Sequence, residues 1–311
     1  MSFLKWLFGK RAPLQAETSL PAFSAQPGPL DGQFTTLGDR QILQDAPYVL
    51  PKDTAEISRL DFQHFLLRQS FQGNYLAPIG QPRSILDVGT GTGRWCHEMA
   101  QAFPAAQVIG CDLVEQATNK QEAPPNYQFV EADVFKPLPF PGERFDFVHQ
   151  RLLFLAIPAH LWANELRELV HVTRLGGWIE LVESEIVVHN GGPATNRMGH
   201  WIIEVSRKRG IDASQIPNLG NYLSQAGLEN ISTTSVSVPI GHWGGRVGSM
   251  MAANVNAAYQ AMKPLITSQL GVAPEAYEQT IELQQQEWEE LHTSTIFYAV
   301  TGQRFHIKNR T

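Results

Sequence analysis

An apolar stretch that runs directly into alternating glycines places the strongest constraint on the fold of this chain. Residues 85–95 read ILDVGTGTGRW, so Gly89, Gly91 and Gly93 follow the predicted strand 85–88 at once. Glycine has no Cβ, so such a run lets the backbone turn sharply and lets a ligand approach the main chain closely. The stretch predicts a ligand-binding loop at the end of a buried strand.

Strand-like and helix-like segments alternate after this loop. Helical spacing covers residues 94–103 and 159–174, and the second helix is expected to stop at Gly176-Gly177. The predicted strands are residues 85–88, 106–112, 127–132, 144–149 and 178–185. Repeated strand and helix units give a mostly parallel sheet covered on both faces, and ligands bind where its strand order reverses. We therefore expect an α/β fold with a doubly wound, Rossmann-like sheet and the glycines at the mouth of its site.

The spacing of the glycines separates two classes of cofactor. A dinucleotide-binding fingerprint needs Gly-x-Gly-x-x-Gly, and Arg94 stands where its third small residue belongs. The actual spacing, with Asp87 ahead of Gly89, resembles the first motif of the class I S-adenosylmethionine-dependent methyltransferases. This resemblance implies a seven-stranded Rossmann-like sheet and S-adenosylmethionine as cofactor.

Two acids follow the next two predicted strands, at positions that this resemblance assigns to cofactor contacts. Asp112 in VIGCDL is placed to accept hydrogen bonds from both ribose hydroxyls, because a carboxylate has two acceptor oxygens. Asp133 in FVEADVF is expected near the adenine, with Val134 as an apolar contact to the ring. The cofactor-binding candidates in this region are Asp87, Gly89, Thr90, Gly91, Gly93, Asp112, Leu113, Asp133 and Val134.

Over roughly residues 48–303 the chain resembles the LaeA-like methyltransferases. The best known members of that family are fungal regulators of secondary metabolism. The segments that carry it are YVLPKDTAEISRLDFQHFLL, VGTGTGRW, VIGCDL and RLGGWIELVE. In that family the helix before the glycine loop covers the cofactor, which implies Arg59, Gln63 and His64 as cofactor-side candidates. Gln63 and His64 equally fit the surface of an ordinary amphipathic helix.

Methyl transfer asks the protein mainly for orientation and a dry site, because the cofactor carries the reactive group. His149, at the end of the fourth predicted strand, is a candidate general base for a hydroxyl acceptor, with His64 and His242 behind it. His149 equally fits packing or a cofactor contact, and Gln150 and Arg151 share these alternatives.

Several kinds of site do not fit the sequence. The residues HQRL at 149–152 differ from the Asp/Asn-Pro-Pro-aromatic motif of enzymes that methylate nucleobase amino groups. We expect Glu183 and Glu185 to face opposite ways, and no clear Asp/Asn set suits a hard cation, so no metal is predicted. The net charge of −6 argues against a nucleic-acid partner. The only two cysteines, Cys96 and Cys111, are expected in a helix and a buried strand, which favours a reducing cytoplasm over a disulfide framework.

The first 45 residues differ in character from the rest. In MSFLKWLFGKR, residues 1–11, apolar side chains share one helical face beside lysine and arginine, so the segment could contact a membrane surface, pack on protein, or fray. It does not fit a secretory signal, and no apolar run reaches the roughly 18 residues of a spanning helix. Residues 12–45 are rich in Pro, Gly, Ser and Gln and are predicted as a linker before a methyltransferase domain at 46–311.

The C-terminal part is expected to hold the methyl acceptor. About fifty residues with helical character separate predicted strands 231–238 and 294–301, where a short turn would suffice. We expect a helical lid over about 245–292, and the alternative is that these helices complete the core. The candidate pocket residues are Met250, Met251, Tyr259, Met262 and Tyr277. A second helix at 194–209, with Trp201, would close the other side.

The sequence thus predicts methyl transfer from S-adenosylmethionine to oxygen, nitrogen or carbon of a small, partly apolar acceptor. The alternative is a regulatory protein of the same fold that binds the cofactor without turnover. The acceptor and the oligomeric state do not follow from the sequence.

Overall fold

The computed structural model describes residues 34–37, 40–43, 54–115 and 123–305. The candidate membrane-contact segment, residues 1–11, lies outside this part of the chain. Within the predicted linker, β1 (Phe34–Leu37) and β2 (Arg40–Leu43) pair as an antiparallel ribbon, where no regular structure was expected. The two strands are rich in Thr and Ile or Leu and lie two residues apart, which is the commonest hairpin spacing. None of the described helices is long and apolar enough to cross a membrane.

A seven-stranded mixed sheet forms the centre of the protein. Its strands are β3 (Ser84–Val88), β4 (Gln107–Asp112), β5 (Tyr127–Glu131), β6 (Phe145–Arg151), β7 (Thr173–Ser184), β8 (Leu228–Pro239) and β9 (Ser294–Arg304). The strand order is β5-β4-β3-β6-β7-β9-β8, and β9 runs antiparallel to both of its neighbours. Strand order reverses between β3 and β6, so the glycine loop after β3 lies where a ligand is expected in this fold.

Helices cover both faces of the sheet. They are α1 (Thr54–Phe71), α2 (Arg94–Ala102), α3 (Trp162–Val172), α4 (Pro193–Lys208), α5 (Leu219–Gln225), α6 (Gly245–Leu270) and α7 (Pro274–Glu290). Alternate side chains of β3 enter different cores: Leu86 packs in the cluster that contains Leu166 of α3, and Ile85 packs in the cluster with Met99 of α2. This confirms the predicted doubly wound α/β sheet.

Strand β7 begins earlier than the sequence predicts. Helix α3 ends at Val172 and β7 starts at Thr173, so the pair Gly176-Gly177 lies inside the strand instead of ending a helix. The pairing of β6 with β7 shifts there, from Phe145 with Thr173 to Phe147 with Trp178. A Cβ on Gly177 would lie 3.0 Å from the carbonyl oxygen of Phe145. The glycines therefore permit a bulge, which local helical periodicity does not reveal.

The predicted insertion consists of α6 and α7, and it has two sets of packing partners. Leu265 and Tyr277 pack in one apolar cluster with α4. Met251 and Trp288 pack in another cluster with Leu66 of α1 and with β9. The insertion therefore contributes to the core, which was the alternative to a lid; a lid function remains a prediction.

A cavity-creating substitution tests whether the insertion is part of the cooperative core. We expect Leu265→Ala to lower the free energy of unfolding by about 2–5 kcal/mol, the usual cost of truncating a buried leucine. Leu283→Ala on α7 is the matched control, because Leu283 is 40% exposed and such changes usually stay within about 0.5 kcal/mol. Urea denaturation measures both. An unchanged main transition in Leu265→Ala would mean that the insertion unfolds separately from the sheet.

Candidate functional site

A large cavity of about 290 Å³ opens where the strand order reverses. Its walls come from the glycine loop, from the carboxyl ends of β4, β6 and β7, from the start of β9, and from helices α1, α4 and α6. The part beside the glycine loop is polar, and the part beneath α4 and α6 is mostly apolar. The loop and the insertion therefore face one continuous space.

The glycine loop follows its path because Gly89, Gly91 and Gly93 all have positive φ. Gly89 has φ of 69°, and a Cβ there would lie 2.8 Å from Leu153 Cδ1. Gly91 has φ of 55°, and its amide donates a 2.9 Å hydrogen bond to Asp112 Oδ2. Both glycines line the cavity. A side chain at either position would strain the backbone, and at Gly89 it would also displace Leu153.

Asp112 holds the loop and also faces the cavity. Its second oxygen, Oδ1, accepts a 2.7 Å hydrogen bond from the amide of Leu113. A carboxylate has about four acceptor sites, so it can accept further hydrogen bonds from a ligand. The structure also brings Thr90, Leu113 and Val134 to the cavity wall. Their contact with the cofactor remains a prediction.

Two predicted cofactor residues do not reach the cavity wall. Asp133 Oδ1 accepts a 3.0 Å hydrogen bond from the amide of Phe135, and its Oδ2 lies 3.3 Å from Lys136 Nζ. An aspartate readily caps its own turn in this way, so its neighbours Val134 and Phe135 form the wall instead. Gly93 is the N-cap of α2, and a Cβ there would lie 2.9 Å from the Tyr127 hydroxyl.

His149 is clamped beside the loop. Its Nδ1 lies 2.7 Å from Asp87 Oδ1, and its ring stacks on Trp95 with ring centroids 4.0 Å apart. All three residues line the cavity. Sequence reasoning did not identify the stacking of Trp95 on His149, because in the sequence Trp95 is only one residue of a helical pattern. This geometry fixes the ring, and its role as general base or as cofactor contact stays a prediction.

Helix α1 supplies an arginine that is fixed by two other residues. Arg59 makes two hydrogen bonds to the carboxylate of Glu56, at 2.8 and 2.6 Å, and donates a 3.0 Å hydrogen bond to Asn254 Oδ1 of α6. Arg59, Gln63 and Asn254 line the cavity, as the prediction for Arg59 and Gln63 requires. Glu56 is three residues from Arg59, so sequence reasoning could have identified it as a partner. Asn254 is 195 residues from Arg59, so no local pattern in the sequence points to it.

The remaining candidate bases differ in their surroundings. His64 lies between Arg151 Nη2, 3.1 Å from its Nδ1, and Glu98 Oε1, 3.2 Å from its Nε2. Burial and the charge of Arg151 lower the pKa of His64 to about 4, so its Nδ1 accepts from Arg151 at neutral pH. His242 does not line the cavity, and its Nδ1 lies 2.9 Å from the Ser249 hydroxyl.

Glu183 and Glu185 were expected to face opposite ways, and the structure corrects this. Residues two apart on a strand share a face, and both residues line the cavity. Glu183 Oε1 accepts hydrogen bonds from the amides of Leu153, at 2.9 Å, and Phe154, at 3.0 Å. Burial raises the pKa of Glu183 to about 8. Among the described residues, no group of three His, Cys, Asp or Glu side chains is placed to hold a metal ion.

The predicted acceptor pocket is present in part. Met251, Tyr259 and Met262 line the cavity, and burial raises the pKa of Tyr259 to about 12. Met250 lies elsewhere, and Tyr277 is fully buried and donates a 2.6 Å hydrogen bond to the carbonyl of Tyr259. Further apolar wall residues that the sequence did not single out are Ile202, Ile240, Val255, Ala258 and Phe297.

Comparisons with known proteins agree with this geometry. A family model described as a methyltransferase domain matches residues 85–177. Methyltransferase pytC from Aspergillus terreus is 32% identical over 243 residues, which cover 73% of this chain and 74% of that protein. Methyltransferase str3 from Strobilurus tenacellus is 35% identical, covering 62% of this chain and 71% of that one. N-methyltransferase verN from Clonostachys rogersoniana is 27% identical, covering 83% and 92%.

The residues present fit S-adenosylmethionine. The glycine loop forms a cradle that side chains would obstruct, Asp112 presents a carboxylate, and apolar Leu113 and Val134 stand nearby. The narrower LaeA-like assignment remains a prediction. The chain belongs to the class I S-adenosylmethionine-dependent methyltransferases, and S-adenosylmethionine is its cofactor.

Proposed function

We propose that this enzyme methylates a small, partly apolar molecule of secondary metabolism, at oxygen, nitrogen or carbon. One observation carries the proposal: the cavity that begins at the glycine loop continues to an apolar wall built by α4, α6 and β9. A cofactor site alone does not need that wall. An apolar cavity with a few polar groups is typical of small-molecule sites.

The residues around the loop have separate tasks in this proposal. Bound S-adenosylmethionine supplies the reactive methyl group on its sulfonium. Asp112 accepts hydrogen bonds from the ribose hydroxyls, while Leu113 and Val134 contact the adenine. The clamped pair of His149 and Asp87 contacts the amino-acid part of the cofactor or the acceptor. These assignments are supported by the position of each residue on the cavity wall.

Helices α4 and α6 are proposed to exclude water from the transfer. Ile202 of α4 and Met251 and Met262 of α6 are buried and line the cavity. A dry site strengthens the electrostatic contacts within it and protects the reactive cofactor. The alternative function, a regulatory protein without turnover, is less favoured, because such a protein would not need the apolar wall built by α4, α6 and β9.

We also propose a cell compartment and two statements about partners. Cys96 and Cys111 are buried and free, which supports a reducing cytoplasm. Contact of residues 1–11 with a membrane surface and the lack of a nucleic-acid partner are also proposals.

Transfer of label tests the function directly. The enzyme is incubated with S-adenosylmethionine labelled in its methyl group, together with separate fractions of host metabolites and host proteins. We expect label in a small molecule that partitions into organic solvent. Label in protein alone, or cofactor binding with no transfer from any fraction, would contradict the proposal.

A matched pair of aspartate substitutions tests the cofactor contacts. Asp112→Asn should weaken S-adenosylhomocysteine binding by about 1.5–3 kcal/mol, the range for hydrogen bonds to a charged group. Asp133→Asn should leave the affinity unchanged, because Asp133 does not line the cavity and asparagine retains an oxygen for the Phe135 amide. Calorimetry measures both affinities. Equal losses in the two variants would return Asp133 to the site.

A matched pair of glycine substitutions tests the loop. Gly91 and Gly80 have φ of 55° and 60°, and a Cβ has no close neighbour at either position. Gly91→Val and Gly80→Val should therefore cost similar stability through backbone strain. Only Gly91→Val should abolish the thermal stabilisation by S-adenosylhomocysteine, which is worth about 2.7 kcal/mol at 100 times Kd. Stabilisation of the wild type by a nicotinamide dinucleotide instead would overturn the cofactor assignment.

A further inference from the structure

Glu183 is a buried residue in the wall of the cavity. Its side chain lies near the carboxyl end of β7, is 3% exposed, and lines the cavity. Oε1 is held by the amides of Leu153 and Phe154. Leu153 in turn packs against Gly89, since a Cβ on that glycine would lie 2.8 Å from Leu153 Cδ1. The loop that fixes Glu183 therefore touches the cofactor loop.

The second oxygen of Glu183 is uncommitted. Among the described residues Oε2 has no hydrogen-bond partner, whereas both oxygens of the neighbouring Glu185 are engaged, by Tyr298 at 2.5 Å and by His189 at 2.9 Å. A carboxyl oxygen without a partner in the protein can accept a hydrogen bond from a ligand. Glu183 is thus prepared to bind a group that enters the cavity.

The charge of the wall near Glu183 favours a cation. Among the described residues, the part of the wall that comes from β7 and the segment directly after it, and from β9, α4 and α6, includes Glu183 and Glu185 and no Lys, Arg or His. Arg151 lines the cavity from β6, but it pairs in register with Val182, so it lies on the opposite face of the sheet from Glu183. A positively charged acceptor would offset the cost of burying the Glu183 carboxylate.

We propose that Glu183 binds the nucleophilic nitrogen of the acceptor and removes its proton, so that the substrates are amines carried on an apolar skeleton. This inference rests on the proposed function and names its substrate class. Glu183 is then a catalytic residue, because it touches the atom that accepts the methyl group.

The step balances in atoms and charge. The acceptor enters as an ammonium ion and first gives one proton to the Glu183 carboxylate, which frees the lone pair of the amine. The nitrogen lone pair forms the bond to the methyl carbon, and the carbon–sulfur bond breaks with its electrons remaining on sulfur. The methylated ammonium product and the neutral thioether S-adenosylhomocysteine result, and the proton on Glu183 passes to solvent as the products leave.

The raised pKa of Glu183 suits this role. Burial alone favours the protonated form, and a pKa of about 8 lies close to neutral pH, where proton exchange with an acceptor is most efficient. An incoming ammonium ion stabilises the carboxylate and must displace its proton at lower pH. Amine affinity should therefore rise with pH up to about 8, by up to tenfold per unit.

The experiment measures binding of matched probes to the full-length enzyme saturated with S-adenosylhomocysteine. The probes are tryptamine and tryptophol, and phenethylamine and phenethyl alcohol, so that each pair differs in one polar group. Wild-type enzyme should bind each amine at least tenfold more tightly than its alcohol at pH 8, with the preference shrinking towards pH 6.5. Glu183→Gln, which keeps an acceptor for Leu153 and Phe154, should bind both members equally at either pH.

Glu165→Gln is the matched control. Glu165 is also buried, and burial raises its pKa to about 8, but it does not line the cavity. This variant should retain the preference for amines. His189 and Tyr298 contact Glu185, and the other ionisable residues of the cavity wall are Arg59, His64, Asp87, Arg94, Asp112, His149, Arg151, Glu185 and Tyr259. All of them remain in Glu183→Gln, so the difference between wild type and variant isolates Glu183.

The outcomes separate this inference from the proposed function. Equal binding of amine and alcohol by the wild type, including the case in which neither binds at millimolar concentration, overturns the inference. A preference for amines that survives in Glu183→Gln also overturns it. Label recovered on oxygen or carbon of a small molecule leaves the proposed function standing and refutes the role of Glu183. Failure of the wild type to bind S-adenosylhomocysteine refutes both.

Discussion

The hydrogen bonds that fasten the glycine loop to the end of β4 are the constraint on which the rest of the site depends. Amides of Gly89 and Thr90 donate to the Cys111 carbonyl, at 2.8 and 3.0 Å, and the amide of Gly91 donates to Asp112. These bonds tie two adjacent parallel strands together beyond their ladder. The cavity therefore opens beside a backbone that is already fixed, so little ordering remains for the cofactor to impose.

A second set of contacts joins helix α1 to helix α6, and both helices line the cavity. Arg59 on α1 bridges to Asn254 on α6, so the helix over the glycine loop and the first helix of the insertion meet in one buried hydrogen-bonded cluster. Breaking such a cluster would leave a buried guanidinium without part of its hydrogen bonds, which is costly. The insertion is thus a structural wall of the site as well as a part of the core, and its first helix is hydrogen-bonded to α1.

The parts of this structure that sequence reasoning predicted are those determined by local periodicity. Buried strands, the glycine loop and the position of Asp112 follow from residues close together in the chain. Asp133 does not line the cavity, because its short side chain can satisfy its own turn, and its contact with the cofactor stays a prediction. Gly176-Gly177 were misread because a bulge and a helix end can both use glycine. The contact of Arg59 with Asn254 spans 195 residues and has no local signal. The shared face of Glu183 and Glu185, in contrast, follows from strand geometry alone.

Three buried glutamates show why burial by itself does not identify a functional group. Burial is the main cause that raises the pKa of Glu165, Glu180 and Glu183. Glu180 Oε2 accepts hydrogen bonds from the amides of Leu76 and Ala77, at 2.8 and 2.7 Å, and these bonds anchor the segment after α1. Among the described residues, neither carboxyl oxygen of Glu165 has a hydrogen-bond partner, and Glu165 does not line the cavity. Glu183 combines a fixed oxygen with an uncommitted one that a ligand can reach, and this combination of positioning and access, more than the shifted pKa, makes it the candidate for chemistry.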